Sequence, residues 1–452
     1  MSPEGRSALA ANTAAVLSAK TAAARAELTQ PLLVQKYGGS SVATVEHVQN
    51  VAKRVAARHR EGNAVVVVVS AMGKTTDSLV GLSKEITATP NRREMDLLLH
   101  AGEIISSSLL AMAITAAGVP AVALTGQQAG MRTDASHTQA RIHAVEGTRV
   151  LEELKLGRVV VVAGFQGVTD GLEVTTLGRG GSDTSAVAVA VGIGADRCEI
   201  LTDVDGVYTT DPRLAKRARQ MEWCSYDEML ELAILGAKVL HSRSVEIARR
   251  FDLPILVATS FSDAPGTTIC SPERRIETMK KESGAVEEVA LRGIAHKKDV
   301  AKVSLIGVPD RPGIASQVFA AIGAEDVSIQ LIVQAEHRGG TNDISFLIPT
   351  DAEPRLRGRL DALLEKVNGE KTLIDREVAT ISLVGEGVQR EPGIAARFFN
   401  ALAEEKINID LISTSNLMLT CVIAEVDTDR AVRAVHRTFF EDADGKTDGG
   451  GS

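Results

Sequence analysis

The 452-residue chain has little cysteine, no excess of basic charge and no long hydrophobic run, and each shortage excludes a class of protein. Its cysteines, Cys198, Cys224, Cys270 and Cys421, are too scattered for a CxxC metal or redox motif and suit a reducing cytosol. Against 50 basic residues stand 58 acidic ones, a net charge of -8, and no basic stretch is long enough to follow a phosphate backbone. Neither nucleic acid nor a membrane surface is an expected partner. The longest apolar run, AVVVVV at 64–69, has the length of a buried strand, well short of the roughly 20 residues of a spanning helix. A soluble protein of two or three domains is expected. Two nucleotide signatures are missing as well. GKT at 73–75 has Val68 where a P-loop needs its first glycine, and in GRGGSD and GIGADR the last glycine of a dinucleotide fingerprint is replaced by Asp183 and Arg197.

What is present is an alternation of strands and helices. Residues 1–30 are an Ala-rich extension that reads as a frayed amphipathic helix, and residues 441–452 read as a solvated tail; neither is expected to carry chemistry. From Pro31, the runs PLLVQKY, NAVVVVVS, GRVVVVAG and CEILTD alternate with helical stretches. This pattern predicts an α/β domain over 31–275, a three-layer αβα sandwich around a mostly parallel sheet, with ligands beyond the carboxyl ends of the strands. Ser40 or Ser41 is expected to cap the helix in which Val45, Val48, Val51 and Val55 recur. A charged, turn-rich linker follows at 276–298. Beyond it the chain repeats itself: PGIASQVFAAIGAEDVSIQLI from Pro312 aligns without a gap to PGIAARFFNALAEEKINIDLI from Pro392, with roughly half the positions identical. Two small α+β domains of ferredoxin-like βαββαβ order are expected, at 299–375 and 376–440. Each Pro-Gly, placed after a strand and before a helix, offers backbone N–H groups to a small carboxylate.

Chemistry is concentrated in a few loops. In TTLGRGGSDTSAVAVA, Gly178, Gly180 and Gly181 admit a ligand to the backbone, Arg179 can grip a carboxylate through two hydrogen bonds, and Ser182 and Asp183 add a donor and a fixed charge. The same letters fit a surface loop capped by Asp183. Lys36, before Gly38 and Gly39, can neutralise a transferring phosphoryl group, although a solvated lysine at a strand end reads alike. Glu103 lies in an apolar helical stretch where a buried carboxylate needs a partner such as a substrate ammonium; solvation at a core edge is the alternative. Thr202, Asp203, Asp205 and Asp211 crowd a strand exit, with Tyr208 able to stack on a flat ring and Arg213 able to meet phosphate; a polar turn reads the same. Lys238, read within a helix, is the weakest of these.

Taken together, QKYGGSSV at 35–42, SAMGKTTD at 70–77, GFQGVTDG at 164–171, TTLGRGGSDTSAVA at 175–188 and TDVDGVYTTDPR at 202–213 resemble the aspartokinases, members of the amino-acid kinase family. The repeat resembles their paired ACT domains. The resemblance spans about residues 32–440 and implies ATP-dependent phosphorylation of L-aspartate, with Mg2+, at the start of lysine, threonine and methionine biosynthesis in the cytoplasm. It implies that Lys36, Tyr37, Gly38, Gly39, Thr202, Asp203, Tyr208, Arg213, Lys238 and Val239 line the ATP site, with Lys36 and Asp183 catalytic. It also implies that Thr76, Glu103, Arg179, Gly180, Gly181 and Ser182 hold aspartate. An end-product amino acid, lysine or threonine, is implied at Asp310, Gly313, Ile314, Ala315, Gln330, Asn408, Ile409, Ser413 and Thr414, in a homo-oligomer built through the ACT domains. The sensor half departs from the pattern at Ser328-Ile329-Gln330, where an Asn-apolar-Asp triplet is common, and at Asn416, where glutamate often stands. Gln330 lacks the charge that would meet an effector's ammonium.

Overall fold

The computed structural model describes residues 17–279, 291–325, 327–337 and 340–441, and these fall into two compact units. The first runs to Val207 and takes in Gln220–Ala233 and the stretch from Lys238; the second holds Tyr208–Arg219, Ile234–Ala237 and the described residues from 291 onward.

Order begins before Pro31. Ser18 caps the helix Ala19–Ala26 by accepting from Thr21 N, and Arg25 fixes that helix by donating to Gly194 O at 2.9 Å and pairing with Asp196 at 3.5 Å. The extension expected to be frayed is therefore a packed helix over these residues, while residues 1–16 lie outside the described residues. The first unit is built on an eight-stranded sheet in the order Trp223–Cys224, Thr267–Ile269, Ile255–Thr259, Arg197–Thr202, Leu32–Tyr37, Ala64–Val69, Val159–Ala163, Ala121–Leu124. Only the pairing of Ile255–Thr259 with Thr267–Ile269 is antiparallel. The central strands are buried along their whole length, which is why they read as unbroken β-branched runs.

Helices Val45–Arg60 and Ala101–Ala116 cover one face, where Val51, Val55, Leu110 and Ile114 pack on Val65, Val67 and Val69. The helical stretch Arg92–Ala116, turned at His100, is long and apolar enough to cross a membrane by composition, longer than any unbroken apolar run. Its Leu110 and Ile114 lie in the core, so it is a core helix. On the opposite face Gly181–Gly192 approaches so closely that every residue in it except Asp183 is buried, a fit only small side chains allow. Thr44 caps Val45–Arg60 by accepting from His47 N at 3.2 Å; Ser40 and Ser41, the expected caps, lie in a one-turn 3-10 segment, Gly39–Val42. The glycine turn is one turn longer than the letters suggest. A second small sheet, ordered Ile142–Val145, Met131–Thr133, Gln166–Val168, Val174–Thr176, delivers the chain to Gly178.

The second unit has two antiparallel four-stranded sheets. The first repeat orders its strands Gln330–His337, Thr341–Pro349, Val300–Pro309, Lys371–Asp375, under helices Ile314–Gly323 and Glu353–Val367. The second orders Gly293–Lys297, Val378–Val384, Met418–Ala424, Leu411–Thr414, under Ile394–Glu404 and Thr428–His436. Its fourth strand thus comes from ahead of the first repeat. The stretch read as a linker, 276–298, ends in a strand, because after Thr428–His436 the described chain closes in the helical turn Arg437–Glu441 and leaves an edge beside Val378–Val384 for Ile294 and Ala295 to fill; residues 280–290 lie outside the described residues. The open sheet faces meet through Val300, Leu347, Val378 and Val422, and Lys302 Nζ reaches Asp410. Segment Tyr208–Arg219 folds with this unit: Ile294 N donates to Thr209 O at 2.7 Å, and Thr209 Oγ1 lies 3.0 Å from His436 Nε2.

Candidate active site

In the first unit the carboxyl ends of the central strands gather the polar residues. Lys36, buried near the end of Leu32–Tyr37, places its Nζ 2.6 Å from Asp183 Oδ1 in the first turn of Gly181–Gly192. Two strand exits are locked together beside it. Gly73 N donates to Gly39 O at 3.0 Å, and a Cβ on Gly39 would sit 2.8 Å from Ala71 O, so only glycine fits there. Ser41 Oγ lies 2.8 Å from Ser260 Oγ, which ties the same turn to the strand Ile255–Thr259. Tyr37 turns its ring into the core beside Val48 and Val51, so only its backbone faces the loops.

Glu103 is 3% exposed. Ala71 N donates to its Oε1 at 3.1 Å, while Oε2 is buried without a partner. Burial pushes its carboxyl up to about 7, against the lowering effect of the Ala71 N–H. A carboxylate so placed attracts a cation. Thr76, half-buried in the first turn of Thr75–Ile86, follows the same exit.

The loop from Leu177 to Gly181 is shaped by left-handed Gly178 and Gly180, at φ 76° and 67°. A side chain at Gly180 would run into the His241 ring; burial lowers the His241 pKa, Arg243 lowers it further, and the Asp183 charge opposes both. At the loop's tip Arg179 is exposed, and nothing among the described residues bonds or pairs with its guanidinium. Ser182 is buried at the start of the following helix, and Ser185 Oγ accepts from Phe165 N at 2.9 Å, holding Phe165 at φ 66° against Gly181.

The residues expected at a nucleotide divide between the two units. Thr202 and Asp203 end a strand of the first unit, with Thr202 Oγ1 bonded to Asp203 Oδ1 at 3.0 Å. Tyr208 and Arg213 belong to the second unit, where Arg213 forks onto Asp211 at 2.7 and 3.0 Å; this fork holds Asp211 below the usual carboxylate range. Lys238 and Val239 lie in a turn between helices instead of the expected helix, and Lys238 is exposed. Among the described residues no group of three or more His, Cys, Asp and Glu converges as metal ligands. A groove of about 430 Å³ lined by Val45, Val48, Met72 and Leu109 holds none of these charged groups.

In the second unit, Gly313 and Gly393, at φ 93° and 91°, start the equivalent helices, leaving the Ile314 and Ala315 amides at a helix N-terminus. Asp310 accepts from Asn342 Nδ2 at 2.9 Å. Gln330 begins an edge strand, Asn408 and Ile409 precede another, and Ser413 and Thr414 close it, Thr414 donating to Met418 O at 3.1 Å. Sequence reasoning missed Asp96, His241 and Arg243, all of which shape the Arg179 loop; no motif marks them.

Comparison with known proteins identifies the family. A family model described as the amino acid kinase family matches residues 31–259, and two ACT domain models match 303–367 and 381–439. These define the class, an amino acid kinase carrying a pair of ACT domains. Aspartokinase of Mycolicibacterium smegmatis is 47% identical over 90% of this chain and 96% of its own, and that of Pseudomonas aeruginosa is 43% identical over 91% and 98%. The chain belongs to the aspartokinases. Aspartate kinase from Synechocystis aligns at 44% identity with a TM-score of 0.51, covering 90% of this chain and 69% of that one. The fold is shared with E. coli aspartokinase III in complex with aspartate and ADP, at a TM-score of 0.76 and 24% identity over 91% and 100% of the two chains.

Proposed function

We propose that the first unit transfers the γ-phosphoryl group of ATP to the β-carboxylate of L-aspartate, giving 4-phospho-L-aspartate and ADP. The observation that carries this reading is Glu103, whose buried, unpartnered Oε2 is a receptor for the substrate ammonium. Arg179, exposed and unpaired, grips the α-carboxylate, and Ser182, Thr76 and the Gly180-Gly181 backbone complete the aspartate site. The substrate β-carboxylate is ionised at neutral pH and needs no general base, so positioning and charge neutralisation do the catalysis. Lys36, fixed by Asp183, meets the phosphoryl oxygens beside the Gly38-Gly39 amides. Thr202, Asp203, Lys238 and Val239 of the first unit serve the nucleotide. Mg2+ bound to ATP would shield the phosphate charge that Lys36 also meets.

The product enters lysine, threonine and methionine biosynthesis, in the cytoplasm, where the four free cysteines stay reduced. The ACT repeats sense an end product, lysine or threonine, in a homo-oligomer joined through those repeats. E. coli aspartokinase III has been solved in complex with lysine and aspartate, which supports an amino acid as effector. An effector's ammonium competes with Lys302 for Asp410. The test is turnover with ATP, Mg2+ and hydroxylamine, with aspartate, glutamate and N-acetylglutamate compared. Aspartyl hydroxamate alone is expected; hydroxamate from another acid, with none from aspartate, would refute the substrate.

A further inference from the structure

The Arg179 loop is held by residues that no motif singles out. Asp96, in the helix Arg92–Leu99, is completely buried, and a buried charge persists only when its oxygens are satisfied. It accepts from His137 Nδ1 at 2.6 Å, from Thr138 N at 3.1 Å to both carboxylate oxygens, and from the Thr176 hydroxyl. These donors sit on two different segments. Thr138 is a β-branched residue at φ 71°, a backbone region such residues avoid unless their surroundings impose it. Thr176 ends the strand that leads to Gly178 and Arg179. The two segments touch where a Cβ on Gly178 would stand 3.0 Å from Thr138 O. Half-buried Arg243 donates to Leu177 O at 2.7 Å and to Ala140 O at 2.9 Å, so it grips the same two segments. One anion and one cation thus clamp the stretch that leads into the loop, Thr176-Leu177, against the segment 137–140, and the loop's arginine has no partner of its own among the described residues.

We propose that Asp96 is a positioning residue for aspartate: by fixing Thr138 and Thr176 it sets the direction from which Arg179 meets the substrate carboxylate. This rests on the assignment of Arg179 to that carboxylate. Removing the clamp therefore weakens aspartate binding and leaves ATP binding alone, because Lys36, Gly38 and Gly39 hang on other strands.

The test is a cycle of Asp96→Asn, Arg179→Ala and the double variant in the full chain, reading kcat and the KM of each substrate by hydroxamate formation, with hydrogen exchange of the amides from Thr176 to Gly181. Asp96→Asn is expected to raise aspartate KM about tenfold or more with ATP KM within about twofold, to speed exchange in the loop, and to add little to Arg179→Ala. Thr176→Val, which removes one hydroxyl, is expected to move aspartate KM the same way by a smaller factor and covers the case in which Asp96→Asn does not fold. Equal losses for both substrates, multiplicative effects in the double variant, or an unchanged aspartate KM would overturn the proposal. If Arg179→Ala leaves aspartate KM untouched, Arg179 is not the grip and the proposal falls with it; a rise in Arg179→Ala without one in Asp96→Asn removes Asp96 alone.

Discussion

The two units differ in which polar groups stand unmet beside their loops. Around the first unit's strand ends, Glu103 keeps one oxygen unmet in the interior and Arg179 stands without a partner. In the second unit several polar pairs on the sheets satisfy one another, Ser304 with Ser345 at 2.8 Å, Ser382 with Thr420 at 2.8 Å, and Lys302 with Asp410, while Thr372 Oγ1 stays buried and unmet. An unmet buried group costs stability that a matching ligand restores, whereas a paired one holds its element in place until something competes for it. Glu103 and Arg179 in the first unit are therefore groups that a ligand can complete, whereas the pairs named in the second unit hold their strands together.

That contrast breaks first at Lys36. Lys36→Ala is expected to lower kcat by roughly 10³-fold or more while the circular dichroism spectrum stays native; near-normal turnover would remove the first unit's claim to a charge-neutralising centre. Arg179→Ala comes next, with aspartate KM rising about 100-fold, as the loss of a bidentate charged hydrogen bond implies, measured at saturating ATP.

Glu103 sharpens the comparison through pH. Its folded value of about 7 lies above the ordinary 4.5, so the folded state holds this proton more tightly than the unfolded chain. The stability this confers is complete below about pH 4.5 and is lost as pH rises through 7. Glu103→Gln is expected to melt higher than the parent at pH 8, by an amount equivalent to about 3 kcal/mol at most, with the difference shrinking toward pH 5. The same variant loses aspartate affinity. Equal melting temperatures at both pH values would show that the carboxylate is already satisfied. The smallest effect belongs to the second unit: Lys302→Met, breaking a partly exposed pair, is expected to cost under about 1 kcal/mol in thermal unfolding, and a larger loss would make that pair a structural pin.

Much of this layout is legible in the letters, for identifiable reasons. Strands buried on both faces announce themselves as Val-rich runs, and an internal repeat needs no structure to be seen. The glycine loops are legible because close approach permits no other residue at positions such as Gly39. What stays hidden is what depends on distant parts of the chain. Asp96 meets donors at His137, Thr138 and Thr176, far along the sequence, and carries no local signature. The strand Gly293–Lys297 is short and lies next to charged residues, and its partner is Val378–Val384. Lys238 keeps good helix-forming neighbours, yet the chain turns there.

That displaced strand means the regulatory half does not begin with its first repeat. The first ACT repeat is an insertion within the second: a fragment cut at the start of the Val300–Pro309 strand would carry the second repeat with an unpaired edge beside Val378–Val384. Thr209, bonded to Ile294 and His436, reaches the same assembly from the middle of the kinase sequence. Exchange of sensors between related kinases by a single recombination point is thereby disfavoured; a transplantable sensor has to bring Gly293–Lys297 with it and accept Tyr208–Arg219 from its host.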